Sequence, residues 1–135
     1  MTDDRYDPGG EPVALARAAA EAIRGLNHAT RGAGLGQPSA AYDILGALSM
    51  AAARTGQALA QVTRYLNAAA AAGQLGHDHG DDPALAVDAA ATFLSDAQLS
   101  AAALAGDLDA AQNQLAQLNS RPGRRRQQPE GVSIS

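Results

Sequence analysis

Residues 82–118, Asp-Pro-Ala-Leu-Ala-Val-Asp-Ala-Ala-Ala-Thr-Phe-Leu-Ser-Asp-Ala-Gln-Leu-Ser-Ala-Ala-Ala-Leu-Ala-Gly-Asp-Leu-Asp-Ala-Ala-Gln-Asn-Gln-Leu-Ala-Gln-Leu, decide the fold. Steps of three and four through this stretch meet Val87, Ala90, Leu94, Ala97, Ala101, Leu104, Leu108, Ala111, Leu115 and Leu118, an apolar seam running for about five heptads. A helix is the structure that gathers that spacing on one stripe. Asp88, Ser95, Asp96, Asp109, Asn113 and Gln117 fall off the stripe and are free to meet water.

Upstream, Leu45, Leu48, Ala52, Thr55, Leu59, Val62, Leu66 and Ala69 repeat the same spacing. Ser39, following Pro38, is the expected N-cap of this second long helix, and Gly73 its expected end. Gln74 to Asp81 connects the two, and Asp82-Pro83 restarts the chain with an N-cap acid and a first-turn proline. Two arms of about 35 residues, roughly 50 Å each, around a short connection predict an antiparallel hairpin. Folding at the loop centre opposes Leu66 with Ala90, Val62 with Leu94, Leu59 with Ala97, Ala52 with Leu104, Leu48 with Leu108 and Leu45 with Ala111. Large mostly meets small, which favours this register. Gly46 and Gly56 each cost a helix about 1 kcal/mol relative to alanine, so they mark places where another backbone is expected to come close.

Before the hairpin, Pro12 to about His28 forms a short amphipathic helix. Val13, Ala16, Ala20, Ile23 and Asn27 trace one side, widened by Leu15, Ala19 and Leu26, with Arg17, Glu21 and Arg24 opposite. Arg17 and Glu21 have the spacing of an ion pair on a helix surface. The loop from Thr30 to Pro38 holds Gly32, Gly34 and Gly36. The expected fold class is therefore all-α: a long antiparallel hairpin with a short N-terminal third helix, bundle-like. Its helices are predicted over 12–28, 39–73 and 83–118, in a single domain of residues 12–118. Residues 1–11 and 119–135 are expected to be disordered.

Composition narrows the function classes. Aromatics make up 3% of the 135 residues and the 46% hydrophobic fraction is mostly alanine, so the core is expected to be thin. Without cysteine there are no disulfides, thiolate metal sites or thiol catalysis. The net charge of -4 argues against a general nucleic-acid coat. Met1 to Gly10 carries Asp3, Asp4 and Asp7 and lacks the pattern of a signal peptide, and no apolar run has membrane-spanning length, so a soluble, cytoplasmic protein without a membrane role is expected.

Three constellations remain. His77-Asp78-His79-Gly80-Asp81-Asp82 has metal-ligand residue types, but on one glycine-flanked loop it reads as a polar turn ending in an N-cap; no metal, cofactor or catalytic group is assigned. His28 reads as a cation favoured by a helix C-terminus. Arg121, Arg124, Arg125 and Arg126 form a basic cluster that can contact phosphates through a salt-sensitive, sequence-independent mechanism. Tyr65 and Phe93 each precede a seam residue, Leu66 and Leu94, and the antiparallel register brings them to one edge near the tip. The first helix is expected to pack at the other end, around Ile44, Ala51 and Asp107, leaving Tyr65 and Phe93 as a partner-binding patch.

At Tyr42-Asp43-Ile44-Leu45-Gly46-Ala47-Leu48, Tyr65-Leu66, Asp82-Pro83 and Ala110-Ala111-Gln112-Asn113 the chain resembles uncharacterised small alanine-rich helical proteins of actinobacteria. The likeness rests on helix-packing residues and implies a fold, not an activity. The hairpin is also similar in outline to the WXG100 secretion substrates. Gln74-Leu75-Gly76 stands where that family has Trp-x-Gly, and no Tyr-x-x-x-Asp/Glu follows the last helix, so secretion is not implied. The expected function is a non-enzymatic helical interaction or assembly module, self-associating or binding a helical protein. The alternative is an accessory nucleic-acid-binding protein that uses the arginine cluster.

Overall fold

The computed structural model describes residues 10–32 and 34–118. Three helices account for most of them: α1 (Gly10–Ala29), α2 (Pro38–Ala71) and α3 (Pro83–Leu115). No strand occurs among the described residues. The all-α architecture is thus the one the periodicity predicts, with α2 and α3 packed as the hairpin.

The helix ends follow local chemistry. Asp82 caps α3, its Oδ1 accepting from the Ala84 amide at 3.0 Å, with Pro83 in the first turn. Gly73, at φ 71°, closes α2: its amide donates to Ala70 O (3.1 Å) and that of Gln74 to Ala69 O (2.9 Å). This double bond pattern is a Schellman motif, which needs a left-handed residue after the cap. The start of α2 differs from expectation. Its N-cap is Gln37, without a side-chain cap, and Ser39 lies inside the helix. Pro38 itself takes the first helical position, since its fixed φ suits a helix and its missing N–H costs nothing there. The first helix also begins earlier than expected, at Gly10.

The hairpin register agrees with the one read from the sequence. Ser49 Oγ lies 3.1 Å from Ala105 O and 2.6 Å from Asp109 Oδ1, bracketing the level where Leu48 faces Leu108. Gln112 Nε2 donates to Tyr42 O at 3.1 Å, one heptad nearer the open end.

The faces turned inward correct part of the expected seam. Ala52, Ala69, Val87 and Ala101 are buried, and Leu45, Leu48, Leu59, Leu66, Ala90, Leu94, Ala97, Leu108 and Leu115 are half-buried, as expected. Thr55, Val62, Leu104, Ala111 and Leu118 are exposed instead. Their inward places go to Ser49, which is buried, and to Gly56, Thr63, Ala105 and Gln112, which are half-buried. In heptad terms the helices meet chiefly through a and d positions, with Ala69 at g also buried, and the predicted stripe is d and g. Small residues at a let the backbones approach, which gives two alanine-rich helices close contact. Leu and Val in those places would hold the helices apart.

Gly46 and Gly56 separate on this point. A Cβ at Gly46 would stand 2.5 Å from Gln112 Nε2, so what comes close there is the Gln112 side chain rather than the backbone expected. At Gly56 it would meet Ala101 Cβ at 3.7 Å, ordinary contact that does not require glycine.

The first helix does not complete a core. It buries none of its residues, although it was expected to pack on the hairpin. Ala19, Ala22 and Ile23 face Leu48, Ala51, Ala52, Thr55, Leu104 and Leu108 across a groove of about 480 Å³. The groove lies at the end expected from the loop length. Of the three α1 residues, Ile23 belongs to the expected stripe, Ala19 to its widening, and Ala22 to neither. Val13 and Leu15 remain 45% and 62% exposed, so little area is removed from water to hold α1 down. Its ion pair links Arg24 to Glu21 at 3.3 Å rather than Arg17 to Glu21. Both partners are well exposed, so it adds little to stability.

Candidate interaction surface

The inward rotation decides what the hairpin shows to its surroundings. With a and d positions inside, the g and c positions of both helices open on one side. The groove proves the geometry: Leu48 and Thr55 of α2 and Leu104 of α3 line it together, under α1. Continuing along the same side toward the tip passes α1 and reaches Val62, Tyr65 and Phe93.

Tyr65 is 63% exposed and Phe93 74%, so both lie on the surface as expected, with no ring-to-ring contact between them. Val62 and Leu104, assigned to the seam by sequence, belong to the same side and are 47% and 52% exposed. Between these four the g and c positions hold only alanine, serine and threonine, from Thr55 to Tyr65 on α2 and from Phe93 to Leu104 on α3. The strip therefore carries no Asp, Glu, Arg, Lys or His. The opposite side, at e and b positions, carries Asp43, Arg64, Asp88 and Asp109 around Leu85 and Leu99. Isolated exposed leucines among charges are ordinary, whereas a contiguous uncharged apolar strip is not.

The remaining candidates are placed differently. His77 and His79 have ring centroids 5.7 Å apart, tilted by 48°. The His79 amide donates to His77 Nδ1 at 3.1 Å, so that nitrogen is engaged in ordering the turn. No group of three metal-ligating side chains occurs among the described residues. His28 sits in the last turn of α1 and lines a shallow concavity of about 430 Å³ with Arg24, Asn27 and Arg31. Arg121, Arg124, Arg125 and Arg126 lie outside the described residues. No described helix is long and apolar enough to cross a membrane.

Two features were missed by sequence reasoning: the Ser49–Asp109 and Gln112–Tyr42 links across the seam, and the surface position of Val62 and Leu104. The seven-residue recurrence of Ser49, Gly56 and Thr63, matched by Ala91, Gln98, Ala105 and Gln112, is the signal that finds both. No protein-family model, curated protein or solved structure matches this chain.

Proposed function

We propose that this protein is a non-enzymatic helical interaction module, which presents the tip half of the hairpin, around Val62, Tyr65 and Phe93, to another helical surface. The observation that carries the reading is the uncharged strip on a hairpin with a thin core. Four buried apolar residues, three of them alanine, serve two helices of more than thirty residues each. Large side chains that would have thickened that core stand outside it instead. Aromatic residues on a desolvatable, charge-free surface are the groups that dominate helical interfaces energetically.

The test compares proteins co-purifying from the native host with tagged wild type and with the Tyr65→Asp/Phe93→Asp double variant. Both positions are exposed, so the variant keeps its helical circular dichroism. Self-association or a helical partner retained by wild type and lost by the variant supports the reading. Identical co-purifying sets contradict it.

A further inference from the structure

We infer that the occupant of this strip is a second copy of the same chain, two hairpins lying face to face about a two-fold axis as a four-helix arrangement; this rests on the interaction reading above. Charge is the first support. In a two-fold contact each patch meets its own copy, so any charge near the axis faces its like. The chain carries a net charge of -4, and α3 holds Asp88, Asp96, Asp107 and Asp109 with no cation. Most of its surface is thus unsuited to self-contact. The line of g and c positions from Thr55 to Tyr65 and from Phe93 to Leu104 is the exception, being free of charge on both helices, with Arg64 and Asp96 lying off it. A charged partner would find nothing there to pair with.

Area is the second support. Two exposed aromatics bring roughly 150–250 Å² each, and Val62 extends the patch toward the groove that Leu104 lines under α1. Doubled across a two-fold axis, the contact is on the order of 1,000 Å², near the lower bound for a specific association. The dimer is therefore weak and concentration-dependent, and it stabilises the fold by mass action.

Sedimentation velocity and thermal melts of the full chain over a concentration series test this. Wild type is expected to pass from one to two chain masses as concentration rises, with its melting temperature rising in parallel. Phe93→Asp with Tyr65→Asp is expected to weaken dimerisation about tenfold or more, as loss of interface aromatics does, with unchanged helical signal. Phe93→Ser gives the same comparison with a milder change if the aspartates disturb folding. Wild type that stays at one chain mass overturns the inference, as does a dimer equally stable in the variants or growth beyond two chains. Monomeric wild type leaves the interaction reading to the co-purification comparison, which fails only if wild type and variant retain the same partners.

Discussion

Ser49 and Gly56 occupy successive a positions on α2 and report on the same approach of helices by opposite routes. Ser49 is 6% exposed, and its hydroxyl proton is shared by acceptors on Ala105 and Asp109. Ser49→Ala leaves the Ala105 carbonyl without this extra partner and is expected to cost about 1 kcal/mol. That corresponds to a drop of about 4–8 °C in a domain of this size, read from a circular dichroism melt. Gly56→Ala is expected to act in the other direction. It removes a helix penalty of about 1 kcal/mol and adds a methyl in ordinary contact with Ala101. Gly46→Ala gains the same propensity but pushes into the Gln112 amide, which must give up its bond to Tyr42 O. Its melting temperature is expected to fall below that of Gly56→Ala.

Among elements, the caps give the sharpest contrast. Asp82→Ala removes the acceptor for the Ala84 amide and is expected to cost about 1 kcal/mol. Ser39→Ala is expected to leave the melt unchanged, because α2 starts at Pro38 and the serine caps nothing. Equal losses in the two variants would show that the start of α2 is misplaced. These ends also show what a sequence reveals. The extent of the hairpin was legible because Pro38, Gly73 and Pro83 punctuate it, and its register because Leu59 and Leu66 oppose Ala97 and Ala90, partners of complementary size. The inward line was not legible from hydrophobicity. A ranking by hydrophobicity prefers Val62 to Thr63 and Leu104 to Ala105, whereas close helix approach prefers the smaller member of each pair. Of the candidate surface, Tyr65 and Phe93 were legible because each precedes a seam residue near the tip while the first helix reaches only the other end, and Val62 and Leu104 were hidden by the same ranking.

At the scale of the molecule, the chain is a hairpin with a loosely applied arm. Because α1 buries none of its own residues, a chain lacking residues 1–29 is expected to keep the hairpin and lose less than about 1 kcal/mol. Unfolding of that chain would show that closure of the groove carries more of the stability than its area suggests. Every property proposed for the strip depends on which line of each helix turns inward, and the absence of native cysteine makes that directly measurable. Thiol-labelling rates of Val62→Cys and Thr63→Cys, compared in dilute solution where copies are apart, are the most direct test. The thiol of Val62→Cys is expected to react several times faster, since Thr63 is half-buried on the seam and Val62 is exposed beside it. Equal rates, or faster labelling of Thr63→Cys, would contradict the inward line and with it the interaction surface.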